Sequence, residues 1–244
     1  MSAPVLPEAQ AAQRLQLWFS PAMPTGAFSH GHGIEAAIDE GDIRDADSLR
    51  RWLDGVLARG AGRNEAVLIC AAWRATHGAP SDADDGAPFE ALVEIDALVQ
   101  IDALARALCA GAERLRETLS QGRAFADAVA AWPSVPGCPP LRDFSLPVVI
   151  GAASAAHALP LAATLVAALQ AFITNLAWIA ARLLPLGQGS TLGVVAALEP
   201  VVRRVARRAL DTDPSDPFAL GGSVMLADLA SLRHETQRSR ICLT

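Results

Sequence analysis

An all-α, single-domain bundle of about eight to ten helices, one of them buried at the centre, is the fold class this sequence predicts, on three observations. Apolar residues recur at steps of three and four along most of the chain, and no alternating strand pattern occurs. The interior must be built from Ala, Leu and Val, because 52% of residues are hydrophobic while the chain has only Trp 5, Phe 7 and Tyr 0. A long charge-free stretch, Phe144 to Ala181, lies between amphipathic segments. The 244 residues could make one or two domains, but no long linker divides them, so one body over residues 1–244 is the simpler reading.

Residues 1–10, with Pro4 and Pro7, read as a mobile arm, followed by a short helix through Leu15, Leu17, Trp18 and Phe19. Pro21 and Pro24 lack the backbone donor that a helix interior needs and push Ser20 and Met23 towards extended geometry, so that helix should end near Phe19. Gly26 can take a positive φ, and from about Phe28 the chain can coil again, carrying Gly31 and Gly33 on a helix with Glu35 at the edge of its surface.

Asp45 or Asp47 can cap the next helix, on which Leu49, Trp52, Leu53, Val56 and Leu57 share a face. Gly60 and Gly62 weaken its continuation, so two helices or one bent helix should reach about Thr76, before a loop over residues 77–88. Further helices are expected from Phe89 to about Ala110 and from there to about Trp132, with their charges on the outer faces. Pro133, Pro136, Pro139 and Pro140 impose an irregular connector between two halves of one fold.

In the charge-free stretch, Pro160 makes a break, and length alone would allow a membrane hairpin. Thr164, Gln170, Thr174 and Asn175 interrupt the second half, and no Arg cluster flanks it, so a buried central helix is preferred to a membrane span. Pro185 ends that helix, and Ser190 or Thr191 can cap the next, which runs to about Leu210. Its Arg203, Arg204, Arg207 and Arg208 complement the negative end of the helix dipole. A last helix, roughly residues 218–231, passes into a polar tail over 233–244, which offers charge-assisted bonds but no apolar stripe; its removal from Arg233 is expected to spare folding.

The chemistry on offer is thin. A net charge of -6 leaves a nucleic-acid role dependent on a local basic face, and none is long enough; all 20 basic residues are Arg. Cys70, Cys109, Cys138 and Cys242 form no C-x-x-C pair, which removes zinc knuckles and redox motifs and leaves buried free thiols. His30, His32 and Glu35 have metal-ligand side chains, but on a helix only His32 and Glu35 would share a face, so a solvated or partner-facing pair of histidines is expected instead. No phosphate loop, nucleophile elbow or dinucleotide fingerprint is present. Residues 1–10 lack the basic and apolar regions of a signal peptide, so the expected location is the cytoplasm.

Three stretches carry a resemblance. Ser20-Pro-Ala-Met-Pro-Thr-Gly-Ala-Phe-Ser with Gly33-Ile-Glu35, then Leu184-Pro-Leu-Gly-Gln188, then Arg233-His-Glu-Thr-Gln-Arg-Ser-Arg240 are similar, in that order, to the signatures of the urease accessory protein F (UreF) family. The Asn64-Glu-Ala to Trp73-Arg segment and Ser120-Gln-Gly122 extend the likeness over nearly the whole chain. It differs at His30 and His32, where the family usually has aromatic or Gln residues, at Arg182, often Lys, and at Cys242, commonly aromatic.

The resemblance implies an all-helical, often dimeric scaffold with no enzymatic activity and no cofactor. Such a scaffold joins the urease accessory protein D or H and the GTPase UreG on apo-urease while the nickel site matures, without nucleic acid or membrane. The alternative it carries is regulation of the GTPase, for which an arginine finger is the physical route. The partner-binding residues it points to are Pro24, Gly26, Phe28, Glu35, Arg182, Gly187, Gln188, Arg233, Glu235, Gln237, Arg238 and Arg240.

Overall fold

The computed structural model describes residues 6–77, 95–133, 139–213 and 220–244, and among these the regular elements are all helical. They are α1 (Glu8–Trp18), α2 (Ile34–Asp39), α3 (Ala46–Arg59), α4 (Ala61–His77), α5 (Ile95–Ala107), α6 (Ala112–Val129), α7 (Leu146–Ala156), α8 (Leu161–Leu183), α9 (Gln188–Asp211) and α10 (Met225–His234), with a 3-10 turn over Ala27–Ser29. The helix α1 begins at Glu8, inside the stretch expected to be an arm; residues 1–5 lie outside the described residues, as do most of the loop expected over 77–88, residues 89–94 and 134–138.

Local chemistry explains most boundaries. Asp45 caps α3: its Oδ1 accepts the Ser48 amide at 2.8 Å while the Ser48 hydroxyl serves the Asp45 amide, a reciprocal box. The break at Gly60 makes two helices. Neither Ser190 nor Thr191 caps α9, which starts at Gln188 with extended Gly187 before it. The far end of α9 is closed from another helix: Arg74 of α4 donates to Leu210 O at 2.6 Å and Thr212 O at 3.1 Å, satisfying carbonyls that have no partner in their own helix. The last helix is displaced towards the C-terminus, Met225–His234 rather than 218–231, with 214–219 outside the described residues.

Helix α7 is the innermost. Every residue from Pro147 to Ala155 is buried, and α4 packs along it more extensively than any other pair of elements. Gly151 makes that approach possible, since a Cβ there would stand 2.5 Å from the Ile69 carbonyl oxygen and 2.9 Å from the Trp73 amide nitrogen. Helix α8 is long and apolar enough to cross a membrane by length and composition. It packs on α9, α4, α3 and α2 with its Leu165, Leu169, Ile173 and Leu176 face, leaving Val166 and Trp178 partly exposed. Burial in the charge-free stretch is therefore deepest in its shorter half. Trp18 of α1 meets Phe125 and Trp132 edge-on.

Two expectations fail here. Gly31 and Gly33 are not on a helix: after the 3-10 turn the chain stays irregular, and Gly33, at φ +74, precedes α2 and lies against the backbone of Ala230 and Ser231, where a side chain has no room. Nor are the charges confined to outer faces, because Asp102, Glu113 and Glu117 are buried.

Candidate partner-binding site

The N-terminal motif, the tail and α6 meet at one end of the bundle. Glu35 is one of the first residues of α2 and is buried, so it does not sit at a surface edge. Its carboxylate accepts the backbone amides of Ile241 and Cys242, each at 2.8 Å. Burial alone would raise its pKa, but the Cys242 and Ile241 amides hold it below the ordinary value. Beside it, Gly31 N–H donates to Thr244 O at 2.8 Å and Leu243 N–H to Ser29 O at 2.7 Å, an extended pairing of tail and motif.

Helix α6 supplies the other anchors. Glu113 holds His234 Nδ1 at 2.7 Å and Arg240 Nη1 at 2.5 Å, and Glu235 reaches back to the Glu113 amide at 3.0 Å. Glu117 takes the Thr244 hydroxyl at 2.8 Å, His32 Nε2 at 2.7 Å and the Gln121 amide at 3.1 Å, and forms an ion pair with Arg114. Its burial would raise its pKa, but the Arg114 guanidinium and the His32 ring hold it well below the carboxylate range. Burial, with Arg114 adding to it, pushes His32 down to about 4, so the ring is neutral at pH 7.

The tail thus folds onto its own body. Arg233 pairs with Glu40, and Gln237 Nε2 donates to Asp39 at 2.5 Å. The absence of an apolar stripe suggested a tail without a seat on the core; buried carboxylates provide the seat instead. Both histidines are buried too, rather than solvated or partner-facing. Among the described residues no group of three or more His, Cys, Asp or Glu side chains is arranged to hold a metal ion.

What remains outside is apolar. Residues 241–244 alternate, as an extended segment does: Cys242 and Thr244 face in while Ile241 and Leu243 are 70% and 63% exposed. Phe28 is 66% exposed, yet its backbone is pinned, because Arg182 of α8 donates to Phe28 O and Asn175 Nδ2 to Ala27 O at 2.8 Å. Gly26 has the positive φ expected of it, at +70. Pro24, Gly187, Gln188 and Arg238 are exposed on the flanking segments.

Of the residues singled out from sequence, the structure brings Phe28, Glu35, Arg182, Arg233, Glu235, Gln237 and Arg240 to this end, most of them in contacts within the chain. Reading the sequence missed Glu113, Arg114 and Glu117. Their signal was present: Glu113, Glu117 and Gln121 recur every four residues, a polar stripe on one face of α6.

Comparison with known proteins identifies the family. A model of the UreF family matches residues 43–199. The chain is 46% identical to the urease accessory protein UreF of Rhodopseudomonas palustris (strain TIE-1), covering 98% of this chain and 96% of that one. It is 44% identical to the UreF of Cereibacter sphaeroides (strain KD131), over 93% and 95% of the two chains, and 42% identical to that of Methylorubrum populi, over 94% and 97%. With the family model matched over more than half of its length and relatives of this identity over nearly all of it, the chain belongs to the UreF family of urease accessory proteins.

Proposed function

We propose that this protein is a non-enzymatic scaffold in urease maturation, acting in the cytoplasm as a homodimer. It links the accessory protein D or H and the GTPase UreG on apo-urease while nickel is inserted. The observation that carries the reading is the apolar surface of Phe28, Ile241 and Leu243, presented on a backbone tied down by Arg182, Asn175 and Glu35. A rigid, exposed aromatic flanked by aliphatic side chains suits an interface, because little conformational entropy is lost when it is covered.

The second reading, activation of the GTPase, is narrowed by the tail geometry. Arg233 and Arg240 are engaged by Glu40 and Glu113, whereas Arg238 is exposed and meets no carboxylate within ion-pair distance among the described residues. Of the three tail arginines, Arg238 is therefore the one available to enter a partner's active site.

One experiment separates the two. Phe28→Ser combined with Leu243→Ser should weaken capture of the accessory partners by about 10- to 100-fold while thermal unfolding is unchanged. In single-turnover GTP hydrolysis by the GTPase at saturating protein, Arg238→Ala should behave as wild type. Loss of stimulation by about 10³ in that variant would establish the activator instead, and undiminished capture by the double variant would remove the scaffold surface.

A further inference from the structure

The C-terminal half of α9 carries Arg203, Arg204, Arg207 and Arg208, all exposed, while Val201, Val202, Val205, Ala206 and Ala209 among them are buried. The carbonyls at that end of the helix have other donors: Thr212 Oγ1 gives to Arg208 O at 2.7 Å, and Arg74 serves Leu210 O and Thr212 O. The α9 guanidiniums are therefore not spent on capping. Arg203 with Arg207, and Arg204 with Arg208, stand four residues apart, where like charges destabilise a helix.

Little offsets that repulsion. Arg203 reaches Glu199 at 3.5 Å within its own helix, and Arg204 lies 3.9 Å from Asp54 of α3, beyond hydrogen-bond reach. Arg207 and Arg208 have no ion pair or side-chain hydrogen bond among the described residues, and neither has Arg63 of α4. Other arginines of the chain do find carboxylates, Arg106 on Asp102 at 2.5 Å and Arg142 on Asp127 at 2.6 Å. Arg63 and Arg208 also face one depression of about 20 Å³, floored by Ala58, Val67, Val205 and Ala209. A space of that size takes a single water-sized group, such as one oxygen of a carboxylate.

We propose that Arg63 and the C-terminal half of α9 form a docking surface for an acidic segment of a partner protein. One carboxylate sits between Arg63 and Arg208, and others pair with Arg204 and Arg207. Two guanidiniums over an apolar floor hold a carboxylate through charge-assisted bonds, in surroundings less polar than water. The extent of the surface selects the partner. Glu199 and Asp211 stand four residues before Arg203 and four after Arg207, so the basic stretch is little more than one turn of helix. It matches a short run of acidic side chains. A nucleic-acid backbone laid along it would cross both carboxylates of a chain whose net charge is -6. The surface shares no residue with Phe28, Ile241 and Leu243, so it is a contact beyond the scaffold surface and can fail without it.

The test is fluorescence anisotropy of labelled hexaglutamate titrated with the full chain, beside labelled hexaglutamine and a single-stranded DNA 12-mer. Hexaglutamate should saturate, weaken as salt is raised from about 50 to 150 mM, and bind at least about 10-fold more tightly than hexaglutamine. Arg63→Gln and Arg208→Gln should each weaken it at least about 10-fold, whereas Arg44→Gln, an exposed arginine of another segment, removes the same net charge and should bind as wild type. Arg208 is exposed on the helix surface and keeps the test open if the half-buried Arg63 cannot be replaced without unfolding. Wild-type affinity in Arg208→Gln, an equal loss in Arg44→Gln, no saturation by hexaglutamate, or tighter binding of the DNA would overturn the proposal.

Discussion

The α4–α7 contact and the tail contact are both buried and both bring distant parts of the chain together, but opposite means hold them. At the first, Gly151, Ala152 and Ala72 let two backbones approach, and stability comes from dense packing of small side chains. At the second, Glu35, Glu113 and Glu117 accept from amides, a hydroxyl, two rings and two guanidiniums. A packed contact tolerates changes of charge state and not of volume; a polar contact has the reverse weakness.

Substitution should break the two contacts differently. Glu117→Ala removes the common acceptor of Thr244, His32, Gln121 and Arg114 and leaves a buried guanidinium short of a partner, so a loss of about 3 to 5 kcal/mol is expected in urea denaturation. The tail of that variant should also become sensitive to protease, while near-native denaturation and an uncut tail would show that the network is not what holds it. Gly151→Ala adds one methyl group and would gain about 1 kcal/mol on an open helix. Here that methyl meets Ile69 O, the Ala72 side chain and the Trp73 amide, and overpacking should make the net change about 2 kcal/mol destabilising. A stabilised Gly151→Ala protein would mean that α4 and α7 can separate at little cost.

Acid offers the smallest and most selective probe. His32 has its pKa lowered to about 4 in the folded state, so the unfolded chain binds more protons below about 6.5, and its share of stability is lost as pH falls from there towards 4. Glu65 runs the other way: raised to about 7, it contributes stability at low pH that is lost as pH rises from its ordinary value through 7. His32→Gln should therefore reduce the drop in stability between pH 7 and pH 5 by about 1 kcal/mol, and Glu65→Gln should steepen it. Identical pH slopes in the three proteins would contradict this assignment.

Most helices were legible because apolar spacing reports burial of a face, and α3, with Leu49, Leu53, Val56 and Leu57 on one side and an Asp45 cap, is the plainest case. The motif around Gly33 was not, because its glycine answers to Ala230 and Ser231, nearly two hundred residues away, and not to its neighbours. The polar tail misled for a related reason. Charge along a segment reads as solvent exposure unless its partners are known, and Glu113 and Glu117 declare themselves only as a stripe on a different helix. Of the residues the family signatures pointed to, Glu35 and Arg240 hold the motif and the tail together within the chain.

The pairing of Glu35 with Ile241 spans 206 residues, which sets an order of events during synthesis. At typical ribosomal rates, on the order of 10 to 40 seconds separate the making of the two residues. Helices α4 and α7 are both made well before that, so a nascent chain can have its small-residue core in place while Glu35 and Glu117 still wait in water for the tail. The surface on which Ile241 and Leu243 stand beside Phe28 consequently forms only after both members of that pairing have been made.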